Sequence, residues 1–121
     1  MTSSDIVIAF NQAITEQDVD KLAALMTNDH TFIDSAGQKF EGKEKAVEIW
    51  QGFFAAFPDY QNHFEKLVEK DGLVIATGKS TCSNEPALDG SALWTVKIRD
   101  EKVSEWRVYE DTAENRLLLQ L

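Results

Sequence analysis

Apolar residues in the first part of the chain recur at three- and four-residue spacing, so that Val7, Phe10 and Ile14 fall on one face of a helix. Ser3 or Ser4 can cap this helix, predicted over Asp5 to Glu16. A second, short helix is predicted after Asp18, with Val19, Leu22, Leu25 and Met26 as its buried stripe. Asp29 to Asp34 then alternates and runs into Ser35-Ala36-Gly37, the pattern of a short strand ending in a glycine turn. Gly42 precedes the clearest helix, whose Ala46, Trp50, Phe53, Phe54 and Phe57 form an aromatic face. Pro58 ends it, because the residue before a proline is pushed out of helical geometry. Beyond that point the period drops to two. Tyr60–Glu69 and Leu73–Ser83 flank Lys70-Asp71-Gly72, a hairpin signal, and Ser83–Ser91 reads as a loop holding Pro86 and Asp89-Gly90. Ala92–Arg99 and Lys102–Tyr109 form a last hairpin around Asp100-Glu101.

Helices gathered first and strands afterwards predict an α+β fold, with helices packed on one face of a curved, mostly antiparallel sheet. Such a sheet wrapped round an aromatic helix leaves a concave pocket with apolar walls and a few polar groups, the general form of a small-molecule site. The length of 121 residues suits a single domain over the whole chain, and no repeat, linker or low-complexity run divides it.

Charge narrows the partners. Twelve basic against 21 acidic residues give a formal charge of −9, with no basic cluster to reverse the sign locally. Nucleic acid and anionic membrane surfaces are therefore excluded as expected partners. The start, MTSSDIVIAFNQ, lacks a basic region followed by a long apolar core, so no signal peptide is expected, and no run approaches the ~18 apolar residues of a membrane span. A single cysteine, Cys82, leaves no intrachain disulfide; these features together suit a cytoplasmic protein. No metal or cofactor is expected: His30 and Asp34 would stand ~13 Å apart on a strand at ~3.3 Å per residue, too far to share an ion.

The stretch from Asp18 to Phe57, within ITEQDVDKLAALMTNDHTFIDSAGQKFEGKEKAVEIWQGFFAAFPD, resembles the opening half of the NTF2-like superfamily, nearest its SnoaL-like, polyketide cyclase-like branch. The closing EKVSEWRVYED and LLLQL resemble that branch's last strand and tail. The resemblance implies an NTF2-like cone, with helices packed in the concave face of the sheet. Its activity is open, because the scaffold hosts isomerases, cyclases, epoxide hydrolases and plain binding domains.

Residue by residue, the resemblance separates these activities. Asp34 matches the general base of ketosteroid isomerases, but the positions of that family's tyrosine and aspartic acid hold Phe10 and Trp94, which cannot form its oxyanion hole. Epoxide hydrolases of the limonene type carry an aspartate two residues after the final-strand tryptophan, where this chain has Val108. Polyketide cyclases place an acid four residues after that tryptophan, where this chain has Glu110.

Alternation puts His30, Phe32 and Asp34 on one strand face and Trp106, Val108 and Glu110 on another, and the resemblance turns both toward the pocket. Asp34 and Glu110, assisted by His30, are thus the candidate acid/base groups, and Phe10, Phe32, Trp50, Phe54, Trp94, Trp106 and Val108 the candidate walls. Each has a structural alternative: Asp34 can cap its turn, Glu110 can sit in a surface ion pair, His30 can be a buried structural residue, and the aromatic set can simply be core. Two functions follow from these alternatives. One is cofactor-free acid/base chemistry on a small apolar or aromatic molecule; the other is a non-catalytic ligand-binding or dimerisation domain. A homodimer through the outer sheet face is expected, because the family commonly pairs there and the late strands carry Leu93, Val96, Ile98 and Val103 on both faces.

Overall fold

The computed structural model describes residues 1–83 and 85–121; Asn84, in the loop expected over Ser83–Ser91, lies outside the described residues. Helix α1 (Ser3–Glu16) is capped by Thr2 rather than by either serine. Thr2 accepts from the Asp5 amide while the Asp5 carboxylate accepts from the Thr2 amide, a reciprocal cap that satisfies two helix-end donors. Helix α2 (Val19–Ala24) starts at Asp18, whose side chain accepts from the Lys21 amide. Met26 is buried as expected, but as the first residue of strand β1 (Met26–Ile33) rather than on the helix.

Strand β2 (Lys39–Glu41) follows the Asp34–Gln38 turn, and helix α3 (Lys43–Ala56) ends just before Pro58. The chain then runs through β3 (Gln61–Lys70), β4 (Leu73–Thr81), a short 3-10 turn (Pro86–Leu88), β5 (Gly90–Arg99) and β6 (Lys102–Glu110) to the short helix α4 (Ala113–Leu118). None of the described helices is long and apolar enough to cross a membrane.

One six-stranded sheet has the order β2-β1-β6-β5-β4-β3. β3 to β6 form the expected antiparallel meander, whereas β1 pairs parallel to β6, with Phe32 opposite Trp106 and Ile33 opposite Arg107. The sheet curls round α1 and α3, so its inner face supplies Val74, Ala76, Trp94, Val96, Val103 and Trp106 to a core shared with Phe10, Ile14, Trp50 and Phe54. Val96 and Val103 thus belong to the interior, and only Leu93 of the four apolar residues expected on the late strands is fully buried on the other side. Over that outer face lies the C-terminal tail: Leu119, Gln120 and Leu121 line a trough with Val68, Ile75 and Thr77, and Lys70 donates to Gln120.

Curvature has a local cause in β3 and β4. The register shifts between Phe64 and Lys66, and opposite this bulge stands Gly78. A Cβ on Gly78 would sit 2.1 Å from the His63 carbonyl oxygen, so only glycine lets the two backbones approach. Gly78→Ala is expected to lower the unfolding free energy by about 2–3 kcal/mol. Urea denaturation checks this; an unchanged midpoint would show that the bulge relaxes freely.

Candidate functional site

Where the cone opens, the end of β1, the last turns of α3, the start of β3, the 3-10 turn and β6 converge on a cavity of about 110 Å³. Phe32, Trp50, Phe53, Tyr60, Trp106 and Val108 supply most of its wall, Leu88 of the 3-10 turn closes it, and Asp34 is the one carboxylate in its lining. A second recess of about 110 Å³ adjoins it, sharing Ser35, Tyr60, Leu88 and Val108 and adding Ser80, Asp89 and Glu110. The inner recess is aromatic, and the outer one carries more polar groups. A larger groove of about 600 Å³ lies on the far side of the sheet between the Lys70–Leu73 turn and the tail, away from all three candidate acid/base groups.

Asp34 stands one residue beyond the Ile33–Arg107 pairing, where the chain leaves the sheet. Its Oδ1 accepts from the amides of Ala36 and Gln38 at 3.0 and 2.9 Å, which fixes the carboxylate on its turn. Oδ2 takes no hydrogen bond among the described residues. Glu110 ends β6 with its side chain exposed at the outer recess, and no salt bridge among the described residues includes it. Along β6 the alternation therefore runs from the interior at Trp106, through the cavity wall at Val108, to the rim at Glu110.

His30 lies elsewhere. It is fully buried, its ring is stacked on Phe10 at 5.9 Å, and it does not line the cavity. Its Nδ1 is 2.7 Å from the Val103 carbonyl oxygen, an acceptor, so Nδ1 carries the proton and donates. Burial pushes its pKa below the usual histidine value; the bond to Val103 and the nearby Asp29 oppose that shift without reversing it. His63, on the outer edge strand, is exposed and lies 3.2 Å from the Thr81 hydroxyl.

Of the remaining candidate walls, Phe10, Phe54 and Trp94 are buried in the core and do not line the cavity. Phe10 stacks on Trp106 at 4.6 Å, and Phe64 meets Trp94 edge-on at 4.9 Å. Five residues of the cavity lining lie outside the set expected from the sequence: Ser35, Ile49, Phe53, Tyr60 and Leu88. Tyr60 carried a usable signal, an aromatic directly after the Pro58-Asp59 break, where the chain turns back over the cone. It is buried, with its hydroxyl 3.1 Å from Ser80 Oγ, and burial raises its pKa. Ser80 in turn donates to Asn62 Oδ1 at 2.8 Å, so Tyr60 is the donor to Ser80.

The profile of the SnoaL-like domain matches residues 7–106. No curated protein matches the chain. Among solved structures, an NTF2-like protein of unknown function from Cytophaga hutchinsonii is 16% identical, covers 98% of this chain and 96% of its own, and superposes with a TM-score of 0.76. An LEH-like epoxide hydrolase of Mycobacterium tuberculosis is 15% identical over 88% of this chain and 76% of its own, at a TM-score of 0.78. An uncharacterised cystatin-fold protein from Novosphingobium aromaticivorans is 20% identical over 89% and 97%, at 0.77. At these identities the likeness is one of fold.

The depressed pKa of His30 has a consequence for stability. Above the ordinary histidine value of about 6.5 both folded and unfolded chains hold the ring neutral, and its contribution is complete. As pH falls through that value the unfolded chain binds a proton that the buried ring resists, so stability falls. Unfolding in urea between pH 7.5 and 5.5 is expected to show this loss, and His30→Asn, which keeps a donor for Val103, is expected to flatten the slope. An unaltered slope would remove His30 as its source.

Proposed function

The chain belongs to the SnoaL-like domain family, and from that premise we propose that it binds a small apolar or aromatic molecule at the mouth of its cone and moves a proton on it through Asp34. The observation that carries this reading is a cavity walled by aromatic rings with one carboxylate in its lining. Two backbone amides hold Asp34 Oδ1, so the carboxylate is positioned before any ligand arrives, while Oδ2 is left to take or give a proton. Glu110, past Val108 on the same strand, is the second proton-transfer group, acting from the rim on the part of the ligand that reaches the outer recess. Phe32, Trp50, Trp106 and Val108 are the contact walls; Phe10, Phe54 and Trp94 support them from behind. His30 acts at one remove, by tying β1 to β6 beneath the cavity. The reaction needs no cofactor in this scheme.

One observation favours the non-catalytic alternative, a ligand-binding domain without chemistry: the turn already uses Asp34 Oδ1, a sufficient structural reason for the residue. Substitution separates the two. Asparagine keeps Oδ1 and the turn, so Asp34→Asn is expected to lower kcat about 100-fold or more on any substrate turned over, with Tm unchanged. Glu110→Gln is expected to have a smaller effect in the same direction. Unchanged kcat in both variants would leave binding as the function.

The same reading includes a homodimer through the outer sheet face. Leu117 and Leu118 of the tail are exposed, and Leu118 flanks a groove with Ile75 and Ile98. Light scattering at micromolar concentration is expected to give twice the chain mass, falling to one chain mass in Leu118→Glu. A monomer in the unsubstituted protein overturns the dimer.

A further inference from the structure

We infer that the molecule held at the mouth of the cone is an organic cation, a compact tertiary or quaternary ammonium group on a short hydroxylated stem. This rests on the pocket reading above, in that the alkyl groups on the nitrogen are the apolar body its aromatic walls enclose, and it adds a charge at their centre.

The first argument is the arrangement of the rings. Phe32 and Trp50 meet at 55° with centroids 5.4 Å apart, Trp50 and Phe53 at 81° and 5.8 Å, and Phe53 and Tyr60 at 90° and 4.8 Å. These rings meet one another at steep angles along the lining rather than in a parallel stack. Aliphatic walls would hold a neutral hydrocarbon equally well; aromatic walls add the attraction between ring quadrupoles and a cation within about 6 Å of a ring centroid.

Charge is the second argument. Asp34 lines the inner recess and Asp89 and Glu110 the outer one, and no lysine, arginine or histidine lines either among the described residues. A carboxylate or phosphate ligand would meet three acidic side chains and no cation. An ammonium group meets Asp34 in the lining of the recess, within a chain whose formal charge of −9 already draws cations toward it.

Size and polarity supply the third. An apolar cavity of about 150 Å³ accepts benzene. The inner recess, at about 110 Å³, is of a size for a compact body of a few heavy atoms, such as a nitrogen bearing three methyl groups. A stem leaving it must pass Leu88 into the outer recess, where Ser35, Ser80 and Tyr60 stand. Tyr60 gives its proton to Ser80, so its oxygen remains as an acceptor for a hydroxyl on that stem.

Choline and 3,3-dimethylbutan-1-ol are probes of the same shape that differ by a charged nitrogen in place of a carbon. Titrated by NMR at pH 7 and low salt, choline is expected to bind about tenfold more tightly than the alcohol. Phe53→Leu, at a half-buried position, is expected to cut choline affinity about fivefold and leave the alcohol unchanged. Asp34→Asn is expected to act in the same direction, and Leu88→Trp, on the surface turn, to block both probes. Equal binding of the two probes, or tighter binding of the alcohol, overturns the cation and leaves the pocket standing. Binding of neither also overturns the cation, and the turnover test on Asp34→Asn decides the pocket reading separately. A choline preference that survives Phe53→Leu, Asp34→Asn and Leu88→Trp alike shows a cation site elsewhere and overturns this one.

Discussion

The peptide of Val103 holds the two halves of this molecule together. Its N–H donates to the Leu25 carbonyl at 2.7 Å, and its carbonyl accepts from His30 Nδ1, also at 2.7 Å. These bonds fall where the parallel ladder between β1 and β6 changes register, between Met26 and Thr31, so the imidazole supplies a link that the interrupted backbone pairing lacks. Everything at the cone mouth depends on that seam. Phe32 and Asp34 come from one side of it and Trp106, Val108 and Glu110 from the other, and without it the cavity has no shared wall.

The interior is packed at a cost. Trp50, Trp94 and Trp106 bury indole N–H groups without partners among the described residues, and His30 buries Nε2 likewise. Each such group forfeits its hydration, worth roughly 1–3 kcal/mol. The compensating term is the contact among rings, in which Trp106 touches Phe10 on one side and Phe64 on the other. Filling of this kind leaves a recess of about 110 Å³ at the mouth as the space beside Asp34. The turn that holds Asp34 then matters doubly, because it ends a strand and sets a carboxylate beside that space with the same two amide bonds.

Much of the scaffold was legible in the sequence because it rests on local signals. The aromatic stripe from Ala46 to Phe57, the Asp71-Gly72 turn and the alternation of Trp106, Val108 and Glu110 each depend on neighbours a few residues apart, and each holds in three dimensions. The parallel pairing of β1 with β6 was not legible, since it joins residues more than seventy positions apart and leaves no periodic trace. Three-residue β2 was hidden for another reason: Phe40, stacked on Phe32, is its single inward residue between exposed Lys39 and Glu41, too short a run to show a period. At the site, alternation brought Asp34, Phe32, Trp106 and Val108 to one place. It also grouped His30 with them, because alternation gives the face of a strand but not the depth along the cone. The sides of the cavity formed by Tyr60 and Leu88 depend on how the loops close over the sheet, a tertiary matter.

The position of β6 in the chain also orders events in time. Synthesis delivers α1, α2 and β1 first, but the strand that β1 pairs with in parallel is the last of the sheet to be made. Until Val103 to Arg107 emerge, Phe10 has no Trp106 to stack on, Met26 has no Val103 opposite it and β1 has no central neighbour. The β3–β4 and β4–β5 hairpins can form while the nascent chain grows, whereas the long-range closure waits for β6. The N-terminal quarter is therefore the segment that must be kept from misassociation during biosynthesis, and the final strand is the clasp that ends its exposure.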